Sequence, residues 1–295
     1  MTAADPAPAG SAWVRFGRFI RFSHTIFALP FALAAMLLAA GGLPPLETVL
    51  WIVVCMVAAR TTAMVFNRLA DWDIDQRNPR TADRHRLVSK RAAQAVFLVA
   101  AMGFVASAAM LNELCLALAP VAVALICFYS FCKRFTAGAH FFLGLALSAA
   151  PMGAWAAVRG TLLEPVPWLL AFAVLCWVFG FDLIYALLDL DFDRKEGLHS
   201  FPARYGARAA LALARLLHVA AVAAFAALGL AADALGWGYA VACVLAATAL
   251  VAEHRLGASG DPVRINRAFF QVNAVVSVLI LTGVAVDVLV KPLNP

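Results

Sequence analysis

The chain has 295 residues, of which 64% are hydrophobic and only 14% charged. Its mean hydropathy of +0.87 excludes an ordinary soluble globular protein and makes the bilayer the expected solvent. The net charge of +6 is accounted for by membrane orientation and a phosphorylated ligand, with no need for nucleic acid as a partner.

The first ten residues include Asp5, Pro6, Pro8 and Gly10 and lack an apolar core, so they read as a tail and not a signal peptide. Trp13 to Arg21 follows, either an interfacial segment with aromatics in lipid and arginines at the headgroups, or a basic flank to the first span. A hydrocarbon core about 30 Å thick needs roughly 20 apolar residues per helix. Runs of that kind occur at 24–42, 47–66, 92–111, 114–132, 138–158, 166–188, 209–231, 235–253 and 268–290. The expected architecture is all-α: nine transmembrane helices in two similar four-helix halves plus one, around a central cavity. Residues 1–22 form the tail and interfacial segment, and 23–295 a single intramembrane domain.

Basic residues set the orientation. With the N-terminus cytoplasmic, that side receives Arg15, Arg18 and Arg21, the cluster from Arg68 to Arg91, Lys133, Arg134, Arg194, Lys195, Arg204, Arg208, Arg255, Arg264 and Arg267. Only Arg159 and Lys291 remain for the other side, the asymmetry that the positive-inside rule requires. The six cysteines are scattered through apolar runs and read as packing residues.

The acidic residues carry the functional signal. Asp71, Asp73, Asp75 and Arg77 have the same spacing as Asp189, Asp191, Asp193 and Lys195, each set following an even-numbered span and preceding a basic, Pro-containing loop. This offset of four spans predicts two halves that face their acidic clusters across one cavity. On a helix, Asn67, Asp71 and Asp75 share a stripe, as do Asp182, Tyr185, Asp189 and Asp193. Carboxylates at membrane depth are functional by default. Two oxygen-rich stripes without His or Cys suit a hard ion such as Mg²⁺, which completes its shell with water and ligand phosphate. The implied ligand is a diphosphate, and Arg68, Arg80, Arg84, Lys133, Arg134 and Lys195 are the cations available to its oxygens.

Asn67-x3-Asp71-x3-Asp75 with Arg80-Thr81-x2-Arg84, then Tyr129-x3-Lys133-Arg134, then Asp182-x2-Tyr185-x3-Asp189-x3-Asp193 resemble the signatures of the UbiA superfamily of intramembrane prenyltransferases. Arg68 departs from the common pattern, standing where many members carry an acid. The resemblance implies that Asp71, Asp75, Asp189 and Asp193 bind diphosphate through Mg²⁺ and that Asn67, Arg80, Arg84, Lys133 and Lys195 contact it. Tyr129 and Tyr185 would stabilise an allylic cation through their ring faces. The stretch from Phe22 to Phe31 looks like the 4-hydroxybenzoate polyprenyltransferase-like subgroup, with His24 a candidate contact to the acceptor. The implied activity is transfer of a polyprenyl group from polyprenyl diphosphate to an aromatic acceptor in ubiquinone or menaquinone synthesis, in the inner membrane. Aminodeoxyfutalosine is the alternative acceptor, and an ion-coupled secondary transporter is the competing class.

Overall fold

The computed structural model describes residues 11–20 and 27–290, apart from the side chains of Ala12, Trp13, Arg84 and His85. His24 therefore lies outside the described residues, as does the side chain of Arg84. Among the described residues thirteen α-helices follow in chain order: α1 Ala12–Phe19, α2 Leu29–Ala40, α3 Leu46–Ala70, α4 Trp72–Arg77, α5 Lys90–Ala109, α6 Glu113–Cys132 and α7 Ala139–Arg159. The second part contains α8 Pro165–Tyr185, α9 Leu190–Lys195, α10 Phe201–Ala231, α11 Trp237–Gly257, α12 Pro262–Arg267 and α13 Asn273–Val290.

Helices prevail because a spanning backbone has no water to bond to and must satisfy its N–H and C=O groups internally. Polar residues and prolines mark the starts: Ser89 accepts from Ala92 N–H at the head of α5, Asn112 from Cys115 N–H at the head of α6, and Pro165 opens α8. Gly41 and Gly160 end α2 and α7 at positive φ, a conformation open to glycine at little cost.

Eight helices among the described residues are long and apolar enough to span a bilayer, and α2 is a shorter apolar helix of 12 residues. At 1.5 Å per residue α2 covers about 18 Å, less than a full crossing. The spans thus follow the hydropathy pattern, with two differences of extent. Helix α10 begins at Phe201, eight residues before the expected 209, and absorbs a non-helical Gly206 at φ 85°. The last span is preceded by α12 and a π-helical turn at Ala268–Val272.

In chain order α2, α3, α5 and α6 make the first half and α7, α8, α10 and α11 the second; α2 packs mainly on α7 and on α13, which lies between it and α11. Helix α8 is the most enclosed, packed by α7 and α10. Leu98, Val99, Met102, Leu216, Val219 and Val244 are exposed on the outside, where lipid is their natural partner. Phe19 and Ile20 of the α1 segment bury against Met64, Val65 and Ala93. Phe19 therefore meets protein and not lipid, because the ends of α3 and α5 offer it an apolar groove.

Candidate active site

Both acidic motifs sit where a long helix breaks. Helix α3 stops at Ala70, Asp71 adopts φ −94° and ψ 15°, and the chain re-enters a helix as α4. In the second half Ala186–Asp189 is a 3₁₀ turn, Asp189 adopts φ −107° and ψ 6°, and α9 follows. The sequence spacing suggests unbroken helical stripes; the structure has a hinge at the first aspartate of each motif. That backbone region is sparsely allowed and is common among active-site residues. The hinge puts the second aspartates, Asp75 and Asp193, in the first turn of a new short helix.

Within the first motif, Asn67 Nδ2 donates to Asp71 Oδ2 at 3.3 Å, and Arg68 donates to Asn67 Oδ1 at 3.3 Å and to Asp75 Oδ2 at 3.2 Å. The departure at position 68 thus supplies a counterion to Asp75. Arg134 lies 3.6 Å from the Asp71 carboxylate and also donates to the Ala70 carbonyl. Desolvation holds the Asp71 carboxyl above its ordinary value against the pull of Lys133.

The halves meet through the loop after α4. Arg80 Nε donates to Asp189 Oδ1 at 2.9 Å, a second guanidinium nitrogen bonds Oδ2, and a third donates to the Tyr185 hydroxyl at 3.0 Å. Asn78 Nδ2 donates to Asp189 Oδ1 at 3.0 Å, while its own Oδ1 accepts from Arg80 N–H at 3.0 Å and shapes the loop. Further out Arg77 pairs with Glu196 at 2.9 Å, and His199 N–H donates to the Lys133 carbonyl at 2.7 Å. Burial pulls the Lys133 ammonium down, but Asp193, Asp189, Asp182 and Asp71 outweigh it, and its pKa is raised.

Asn67, Asp71, Asp75 and Arg80 all line one cavity of about 740 Å³, together with Tyr129, Lys133, Tyr185, Asp189 and Asp193. Its remaining walls are mainly apolar and include Ile52, Leu125, Leu143 and Phe172. Lys195 is exposed and does not line it, because it sits at the last position of α9 facing water. Asp73 and Asp191 are exposed as well. The ring of Tyr185 stacks on Phe269 of the π-helical turn, with centroids 3.9 Å apart.

Sequence reasoning missed three contributors. Arg60 lines the cavity from within α3, and an arginine inside a span was signal enough. Asn78 and His140 pair with Asp189 and Asp182 across long chain separations, for which no local pattern exists.

The donor set fits Mg²⁺. Among the described residues no three His, Cys, Asp or Glu side chains converge as a ready-made cage, and Mg²⁺ bound with a phosphate ligand needs only one or two protein carboxylates. Asp193 is 2% exposed and its Oδ2 has no hydrogen-bond partner among the described residues, a buried acceptor suited to a hard cation or its water.

A helical membrane bundle with two matched aspartate hinges and cations on a shared, mainly apolar cavity has the build of an intramembrane enzyme. The model of the UbiA prenyltransferase family matches residues 28–275, and the chain belongs to that family: it is a multi-pass membrane prenyltransferase. It is 34% identical over 225 residues to the 4-hydroxybenzoate octaprenyltransferase of Shewanella loihica, covering 75% of this chain and 78% of that protein. The protein of the same description from Shewanella woodyi is 34% identical over 226 residues, with the same coverage. Among solved structures, the apo UbiA homolog from Aeropyrum pernix K1 superposes with a TM-score of 0.81 at 37% identity, over 90% of this chain and 98% of that one. A UbiA homolog from Archaeoglobus fulgidus bound to GPP and Mg²⁺ shares the fold, with a TM-score of 0.73 at 20% identity over 93% and 99% of the two chains.

Proposed function

We propose that the protein transfers a polyprenyl group from a polyprenyl diphosphate to a phenolic acid of the 4-hydroxybenzoate type, with Mg²⁺, as a step of respiratory quinone synthesis. The observation that carries this reading is the meeting of two aspartate hinges on a cavity whose other walls are apolar. The names of the Shewanella relatives support the acceptor, and the Archaeoglobus complex supports the donor and the ion.

Asp71, Asp75, Asp189 and Asp193, with Asn67, would hold Mg²⁺, which when bound neutralises the diphosphate. Arg80 and Lys133 supply positive charge that gains strength as the ester bond breaks, when the leaving group's charge grows. Arg84 is a further cation four residues after Arg80, whereas Lys195 at the end of α9 stands outside the cavity. Tyr129 and Tyr185 offer ring faces to the allylic carbon as it becomes positive. The apolar walls keep water from capturing that carbon and receive the tail from the bilayer. Arg60 lies seven residues before Asn67 on α3, about 10 Å deeper, where its guanidinium suits the carboxylate of the acceptor. His24 remains a candidate for the acceptor's other contacts. The positive-inside pattern supports a mouth on the cytoplasmic side.

The test incubates membranes containing the protein with labelled polyprenyl diphosphate, Mg²⁺ and a panel of aromatic acceptors that includes 4-hydroxybenzoate and aminodeoxyfutalosine, with mass spectrometry of the products. Prenylated 4-hydroxybenzoate is expected, and it should disappear in Asp71→Ala and Asp189→Ala. Full activity in either variant would remove the metal assignment, and solute flux in proteoliposomes without prenyl transfer would favour a transporter.

A further inference from the structure

A buried polar chain joins α8, α11 and α13, and the diphosphate site leaves it unused. Trp177, Glu253 and Asn273 are all 0% exposed. Trp177 Nε1 donates to Asn273 Oδ1 at 2.8 Å, and Asn273 Nδ2 donates to Glu253 Oε1 at 2.8 Å. Glu253 Oε2 has no hydrogen-bond partner among the described residues, with His218 Nδ1 3.9 Å away. A carboxyl enclosed in a span with one oxygen open is costly. Apolar side chains would join the same helices without that penalty, so the chain calls for a further role.

What it holds is the π-helical turn at Ala268–Val272. Asn273 Nδ2 also donates to the Phe269 carbonyl at 3.2 Å, while the Asn273 backbone N–H bonds the Phe270 carbonyl. Such turns are rare and recur at functional sites. Here the turn carries Phe269, whose ring lies on that of Tyr185 with centroids 3.9 Å apart and planes 25° apart. Both residues line the cavity. Tyr185 stands four residues before Asp189, about one turn deeper, just below the aspartate that faces the diphosphate. Centroids this close leave little offset, the arrangement that two ring quadrupoles favour least. A positive charge on the outer face of Tyr185 reverses the balance, because both rings then turn a negative face toward it.

We propose that Phe269 is a positioning residue for prenyl transfer. Backing Tyr185, it completes a two-ring platform for the charge that develops on the allylic carbon, and Asn273 and Glu253 hold it there through the π turn. This rests on the reading above in which Tyr185 offers a ring face to that carbon. As the C1–O bond breaks, its electron pair leaves with the diphosphate and C1 becomes positive. The stack supplies electron density on one side and takes no part in the bonds made or broken.

The experiment replaces Phe269 by mono-, di- and trifluorophenylalanine in the full chain in membranes. It reads single-turnover prenyl transfer from polyprenyl diphosphate to excess 4-hydroxybenzoate. Fluorine draws electron density from the ring with little change of volume, which strengthens stacking on Tyr185 and weakens attraction to a cation. The rate is expected to fall stepwise along the series, by about tenfold in all, with the donor KM unchanged. A rate that holds or rises would mean that Phe269 only packs, and would overturn the assignment. Glu253→Gln keeps an oxygen for Asn273 Nδ2 and should retain the falling series. Glu253→Leu removes that oxygen and should lower the rate and flatten the series; an unchanged slope would overturn the role of Glu253. If Tyr185→Leu matches the unmodified chain in rate, the reading of Tyr185 itself falls, a result distinct from a flat fluorine series with Tyr185 in place.

Discussion

Arg80 shows how a single residue couples the two motifs. Its guanidinium grips both oxygens of Asp189 and reaches the Tyr185 hydroxyl, a planar fork that lysine does not reproduce. Arg80→Lys keeps the charge and loses the fork. With hydrogen bonds to charged groups worth about 1.5–3 kcal/mol each, kcat/KM for the prenyl donor is expected to fall at least about tenfold. A steady-state assay across donor concentrations checks it, and an unchanged value would reduce Arg80 to a loop cation. The aspartates themselves were legible in the sequence because their i, i+4 spacing recurs twice, whereas Asn78 and His140 act through partners far along the chain. Acidity inside a span was an ambiguous signal. Asp287 in α13 is 2% exposed and accepts the N–H groups of Gly236, Gly238 and Tyr239. It caps α11 from a neighbouring helix, where the helix dipole favours an anion, so its burial has a structural origin.

Among the elements, the contact of α7 with α8 brings His140 to Asp182. Gly144 makes that approach possible, because a Cβ there would lie 2.7 Å from the Leu175 carbonyl oxygen of α8. Small residues at such crossings let helix backbones come close. Gly144→Ala forces the helices apart, with an expected cost of about 1–3 kcal/mol, visible as a lower Tm in detergent. An unchanged Tm would mean that α7 slides without penalty. Hydropathy located the spans to within a few residues, since length and polarity are set by the bilayer. The hinges at Asp71 and Asp189 escaped it, because helix periodicity continues across a break of one residue. The early start of α10 was hidden for a similar reason: Arg204 and Arg208 make its first turns polar, although the chain is already helical there.

For the whole molecule, the cavity unites a charged mouth with an apolar body bounded by both halves. Ala119 of α6 lines that body and is 2% exposed, so its side of the wall has little room to yield. Ala119→Phe is expected to shorten the longest tail accepted while sparing short donors. Competition between geranyl and octaprenyl diphosphates reads the change as a shifted product ratio, and an unaltered ratio would mean that the tail runs elsewhere. The two-half arrangement was legible from the repeated Asp-x-Asp-x-Asp pattern. The closure of the mouth was not, since it depends on side chains of one half reaching the other: Arg80 to Asp189 and Arg77 to Glu196.

That closure has a consequence for what the doorway admits. At rest Arg80 and Asp189 satisfy each other, so a lone anion would have to strip the arginine of its carboxylate, and a lone cation would have to strip the carboxylate of its arginine. The first exchange strands the buried Asp189 carboxylate and is unfavourable, and the second gives up the guanidinium's fork for water. A visitor carrying both signs at once swaps partners with both residues in a single event and strands neither. The resting pair thus acts as a coincidence detector, admitting a guest by its internal charge separation and not by its net charge.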